Sequence, residues 1–194
     1  MKTPASALMD FLLNLDALKA VERRTLPSGL ARLENSAEHS WHVALSALLF
    51  ARECAFAVDA SHAALLLLMH DVPEIGCGDT FAYSADAEAA SMRERAALEV
   101  LLAPLAPRDA SGLRALWEEF AANATPEARY ANALDRLLPV LHNLSHDGLS
   151  WRQHGVRLEQ VIARVGCVGE VLPGVWALLR PRLEAHFAGV THAH

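Results

Sequence analysis

Cysteine is scarce in this chain: Cys54, Cys77 and Cys167 are the only three in 194 residues, and they lie far apart without a CxxC pair. That excludes a disulfide framework and a zinc-ribbon spacing, and a reducing cytoplasm is the expected compartment. Basic residues are also short. Seventeen Lys and Arg face 23 Asp and Glu, a formal net charge of −6, so the basic stripe of a protein that binds a nucleic-acid polymer is missing. Aromatic residues make up 6%, and Trp41, Trp117, Trp151 and Trp176 are spread over different segments, as core or interface anchors are and a base-stacking platform is not. No apolar run approaches the ~18 residues of a membrane span. The opening "MKTPASALMDFLLNLDALKA" is interrupted by Asp10 and Asp16, while Phe11, Leu15, Leu18 and Val21 recur at helical spacing. It reads as an amphipathic helix and not as a signal peptide, and no membrane partner is expected.

What is present is a globular composition, 53% hydrophobic and 21% charged with the signs mixed along the chain. The length suits one domain over 1–194. Helix follows helix with almost no alternating strand pattern, so the expected class is all-α. "SAEHSWHVALSALLFAREC" is apolar on most faces and predicts a central helix, as does the shorter segment from about Ser61 to Asp71. "DAEAASMRERAALEVLLAPL" predicts a helix with Asp86 as N-cap and a charged outer face, and "ASGLRALWEEFAANA" a further amphipathic one. Thr125, Pro126 and Glu127 open the next as N-cap, first helical residue and first-turn acid, and Pro139 should bend it. Two more helices are expected at about 151–165 and 173–187, the last kinked at Pro181.

The segment "LLLLMHDVPEIGCGD", residues 65–79, ends an apolar helix on His70 and Asp71. A carboxylate buried there without a partner costs several kcal/mol, so something must hold its charge. His39 shares a helix face with Val43, Ser46 and Phe50, and Asp135 shares one with Ala128, Ala131 and Leu138. Four polar side chains from three helices thus point toward one core. A divalent cation resolves the difficulty, because imidazoles and carboxylates are common metal ligands and the ion offsets two negative charges. Four such ligands leave coordination positions open, which suits catalysis better than a closed structural site.

The order His39, His70-Asp71, Asp135 resembles the H…HD…D signature of the HD-domain metal-dependent phosphohydrolases. "SAEHSWHVA", "HDVPEIGCGD" and "LWEEFAANATPEARYANALDRL" look like segments of the 5′-deoxynucleotidase-like subgroup. The resemblance runs from about 18 to 142 and implies a single-domain helical bundle with a buried metal site. The metal ligands implied are His39, His70, Asp71 and Asp135, holding one divalent ion per chain. Manganese, cobalt, iron, nickel and zinc all suit the mixed nitrogen and oxygen set. Glu74 and Asp79 match two acids beside the scissile phosphate and are assigned jointly to acid/base work. Arg24, fifteen residues before His39, matches a phosphate-contacting arginine, with Arg23 as rival. Some relatives carry tryptophan directly after that arginine; here the position is Thr25, which bears on sugar selectivity.

The activity implied is one-step hydrolysis of nucleoside 5′-monophosphates, 2′-deoxy forms preferred, by a homodimer whose interface the apolar C-terminal helices offer. A bound metal makes hydroxide available at neutral pH by lowering the pKa of its water from ~15.7 toward ~7. The alternatives are a non-catalytic HD module that binds a nucleotide, against which the two extra acids argue, and hydrolysis of another nucleotide phosphoester. Ser36 or Ser40 reads as a helix cap or packing contact. His42 is expected to pack, His142, His146 and His154 fall where histidines are ordinary, and the terminal "THAH" reads as a frayed tail.

Overall fold

The structure is a computed structural model that describes residues 3–83 and 87–191. It is all-α, and in the described residues the extended pairing is an isolated antiparallel bridge between Glu22 and Asn35. Helix α1 (Pro4–Asn14) runs into a 3₁₀ turn, Leu15–Ala20. Then come α2 (Ser36–Phe50), α3 (Ala60–Met69), α4 (Glu74–Cys77), α5 (Ala87–Leu102), α6 (Pro107–Ala122) and α7 (Pro126–Ser145). Four helices close the chain: α8 (Leu149–Gln153), α9 (Leu158–Val165), α10 (Cys167–Val171) and α11 (Pro173–Thr191). No helix in the described residues is long and apolar enough to cross a membrane.

Local chemistry sets the boundaries that matter for the site. Asn35, not Ser36 or Ser40, caps α2: its side chain accepts from the Glu38 N–H at 3.0 Å while the Glu38 carboxylate accepts from the Asn35 N–H at 2.8 Å. Thr125 caps α7 as its sequence predicts, accepting from the Ala128 N–H at 3.1 Å with Pro126 at the first helical position. Helix α7 continues through Pro139, whose missing N–H leaves the carbonyl of Asp135 without its usual helical partner. The helix expected over 151–165 is instead two: Gly155 takes φ 62° and breaks α8 from α9. The last helix passes through Pro181 and runs beyond 187 to Thr191. Asp86, His192 and His194 lie outside the described residues.

Two apolar clusters form the interior. The larger joins α2, α3 and α7 to the C-terminal helices through Val43, Leu66, Leu67, Leu134, Val161 and Leu183. The smaller joins the 3₁₀ turn at Leu18 to α5 and α6 through Leu98, Leu102 and Trp117, with Met69 and Val72. Leu66 and Leu67 belong to one cluster, Met69 and Val72 to the other. His70 and Asp71 are therefore pinned where the two meet. Of the tryptophans, Trp117 and Trp151 are buried and Trp41 is exposed on α2 with Leu45, Leu48 and Leu49.

Candidate metal centre

Residues from three elements converge at that junction. His39 comes from the second turn of α2, Asp135 from the middle of α7, and His70 with Asp71 from the turn that ends α3. A donor atom each from His39, His70 and Asp71 falls within 4.8 Å of the others. Asp135 Oδ1 lies 3.0 Å from His39 Nε2 and 3.5 Å from His70 Nε2, and Asp71 Oδ1 lies 3.1 Å from His70 Nε2. Bonds of ~2.0–2.2 Å to a tetrahedral ion would space its donors by ~3.3–3.5 Å, so these separations fit a shared cation.

The hydrogen bonds on the far side of each ring support that fit. His70 Nδ1 lies 2.6 Å from the Leu67 carbonyl, which can only accept, so Nδ1 carries the proton. His70 Nε2 then presents a lone pair, and it is buried without a hydrogen-bond partner. His39 lies between two carboxylates, Nδ1 3.2 Å from Glu34 and Nε2 3.0 Å from Asp135, so a neutral ring with its one proton on Nδ1 faces Asp135 as an acceptor. Acceptors facing acceptors at 3.0–3.5 Å need a positive charge between them. Either a proton or a metal ion supplies it, and a metal takes the imidazoles in unprotonated form.

Arg23 adds a fixed charge at the same place. Its Nη1 donates to Asp71 Oδ2 at 2.6 Å and lies 3.8 Å from Asp79, while Nη2 is 4.0 Å from Asp135. Burial opposes charge on this guanidinium, but Asp71, Asp135, Asp79 and Glu74 outweigh it and raise its pKa. The Glu22–Asn35 bridge explains why Arg23 and not Arg24 enters. Arg23 N–H donates to the Glu34 carbonyl and Glu34 N–H to the Thr25 carbonyl, so the extended segment turns Arg23 and Thr25 to one side. Arg24 is exposed yet lines, with His70 and Asp71, the cavity beside this site; Thr25 is buried, with its hydroxyl 3.4 Å from Glu34 Oε2.

The acids shift in opposite directions. Where no ion is bound and the imidazoles carry the positive charge, burial would raise Asp71, but His70 and Arg23 hold it down at about 2; burial likewise opposes Asp135, which the charged His39 and His70 keep well below the usual carboxylate range. Glu74 is pushed up to about 9, by burial first and then by Asp71, although Arg23 and the Ser36 hydroxyl, which donates to it at 2.5 Å, pull the other way. Burial also raises Asp79, against the pull of Arg23. Gly78, at φ 75°, closes α4 and directs the chain so that Asp79 returns to the site.

A family model described as an HD domain matches residues 15–176. The chain belongs to the HD-domain family. It is similar to a solved structure described as a predicted metal-dependent phosphohydrolase from Magnetospirillum magnetotacticum MS-1. The two are 39% identical with a TM-score of 0.87, and the match covers 94% of this chain and 92% of that one. A conserved hypothetical protein from Pyrococcus furiosus shares the fold at 22% identity and a TM-score of 0.58, covering 89% of this chain and 99% of that one. No curated protein matches.

The HD pair thus opens onto a cavity of about 300 Å³ lined by Arg23, Arg24, Asp79, Phe81, Tyr83 and Glu94, among others. Two of the HD-domain residues that shape this site escaped the reading of the sequence. Glu34 orients His39, and its signal was its position in a strand-like segment pairing with Arg23 and Thr25. Glu94 sits on the face of α5 that turns toward the cavity, where burial and then Asp71 raise its pKa; the charged face of that helix concealed it.

Proposed function

We propose that the protein is a metal-dependent phosphohydrolase that cleaves nucleoside 5′-monophosphates, with 2′-deoxy substrates preferred as in the 5′-deoxynucleotidase-like subgroup. The observation that carries this reading is a cavity lined by His70, Asp71 and Asp135, with His39 buried behind them 3.0 Å from Asp135, and by two further acids, Glu74 and Asp79. The relative described as a predicted metal-dependent phosphohydrolase supports the same class. A divalent ion held by the four ligands would supply Lewis acidity and a nucleophilic hydroxide at neutral pH.

The chain's own groups do the rest. Arg23 and Arg24 lie on the cavity wall, where planar, permanently charged donors suit a dianionic phosphate. Glu74, whose carboxyl burial and Asp71 raise, is placed to donate a proton to a leaving oxygen, while Asp79, 3.8 Å from Arg23 Nη1, is placed to accept one. Phe81 and Tyr83, ring centroids 5.5 Å apart, give the same cavity an apolar wall for a base. Thr25 in place of a bulky aromatic leaves room beside the sugar, so ribonucleotides should be excluded only weakly.

The test is phosphate release from paired deoxy and ribo 5′-monophosphates, with 3′-monophosphates and triphosphates as controls, across manganese, cobalt, nickel and zinc. Higher kcat/KM on 5′-monophosphates is expected. Glu74→Ala and Asp79→Ala should each lower kcat by ~10²-fold with metal content preserved. No turnover of any monophosphate, with tight nucleotide binding retained, would replace the enzyme by a nucleotide-binding module.

A further inference from the structure

A second cluster of donors lies beside the first, further along the same two helices. Helices α2 and α7 supply His39 and Asp135 to the metal centre; three residues further along α2 stands His42, and seven residues further along α7, about two turns, stands His142. Glu34 lies between the two levels. A carboxylate oxygen of Glu34 and a ring nitrogen each from His42 and His142 fall within 4.8 Å of one another. We propose that Glu34, His42 and His142 form a second site for a divalent transition metal such as zinc or cobalt, joined to the first through the Glu34 carboxylate.

His142 carries the argument. It is 4% exposed, and its Nδ1 is buried with no hydrogen-bond partner. That nitrogen lies 3.6 Å from Glu34 Oε1, too far for a hydrogen bond yet close to the ~3.3–3.5 Å that separates two donors on one tetrahedral ion. Glu34, at 1% exposure, divides its oxygens: Oε2 faces His39, Arg23 and Thr25, and Oε1 faces His142. A buried polar atom without a partner costs free energy, and an ion at this point would satisfy it. The rings of His42 and His142 lie 5.8 Å apart by centroid. His42 is exposed, so the ion has a route from solvent and a coordination position open to water. His146, which caps the end of α7, is engaged elsewhere through Nε2, 2.9 Å from the Pro27 carbonyl.

Occupancy would act on the first centre. An ion on Oε1 draws charge from the carboxylate that receives the His39 N–H and so makes His39 a weaker ligand. That consequence rests on the proposed metal centre, whereas the second site stands on its own three donors. Zinc in excess should therefore lower activity supported by the first ion.

Chelator-stripped full-length protein is titrated with cobalt alone and with zinc alone, reading bound ions per chain and the visible cobalt spectrum. Two ions per chain are expected in the wild type. His42→Ala, at an exposed position that leaves the fold intact, should weaken the second ion ~10-fold or more, since changes even outside the ligand shell cost ~10–100-fold in metal affinity. Asp71→Ala should lose the first ion and keep the second. A single ion lost in His42→Ala and kept in Asp71→Ala would support this site while removing the metal centre. A single ion lost in Asp71→Ala alone, or binding by His42→Ala indistinguishable from wild type, overturns the proposal.

Discussion

Glu74 shows how one residue ties the fold to pH. Burial, Asp71 and Asp79 push its carboxyl to about 9 against the opposing pull of Arg23 and Ser36, while the same group in an unfolded chain titrates near ~4.3. Between those values the folded chain holds a proton that the unfolded chain has released. The contribution of Glu74 to the stability of the chelator-treated protein therefore falls as pH rises through this window. Glu74→Gln keeps the shape and the hydrogen bond from Ser36 but cannot ionise. At about pH 8.5 the variant should melt several degrees above wild type, and at about pH 5 the two should agree closely. Bound metal should shrink the difference, because a cation beside Asp71 offsets its repulsion of Glu74. Melting curves with the same pH slope in both proteins would show that Glu74 is ionised in the folded state.

At the scale of elements, α4 is short, and its placement depends on a glycine. A Cβ at Gly76 would stand 2.8 Å from the Ala97 Cβ on α5, closer than van der Waals contact allows. Gly76→Ala must push α4 away from α5, and overpacking of this kind costs ~1–3 kcal/mol. Because α4 begins at Glu74 and its end aims Asp79, the shift falls on the two acids and not on the ligands. The expected result is a Tm lowered by several degrees and kcat reduced ~10-fold or more, with metal content unchanged; unchanged kcat would show that α4 tolerates the displacement. This level also marks what the sequence could reveal. The helix faces of His39 and Asp135 were legible because a 3.6-residue period fixes direction, and Thr125 was legible as a cap because its chemistry is local. Arg23 against Arg24 was not, since that choice depends on a bridge between Glu22 and Asn35, thirteen positions apart, and on the two-residue alternation it imposes. Nor was the break at Gly155, where a helical pattern continues through a residue that adopts a left-handed conformation.

On the whole molecule, α2 is among the helices that leave large apolar side chains exposed, as α1 does at Met9, Leu12 and Leu13. Trp41, Leu45, Leu48 and Leu49 recur at helical spacing along a single stripe of α2, and all four are exposed, Leu49 at 69%. The opposite face of the same helix carries His39, Val43 and Ala47, which are buried. A helix apolar on both faces is one that expects neighbours on both sides. Burying a Leu or Trp side chain fully is worth ~1.5–3 kcal/mol, so this stripe of four is a stronger candidate for a homodimer interface than the C-terminal helices, whose described residues expose one large apolar side chain, Leu178. A second copy of this chain is the proposed occupant. Leu48→Glu places a charge in the middle of the stripe, where a dimer would have to bury it unpaired. Light scattering coupled to gel filtration should then find a dimer for wild type and a monomer for Leu48→Glu, while Leu178→Glu remains dimeric. Because His39 lies on the far side of α2, the monomeric variant should keep its full metal content, which separates loss of the interface from loss of the fold. A wild type that runs as a monomer, or a Leu178→Glu variant that dissociates instead, would move the interface away from α2.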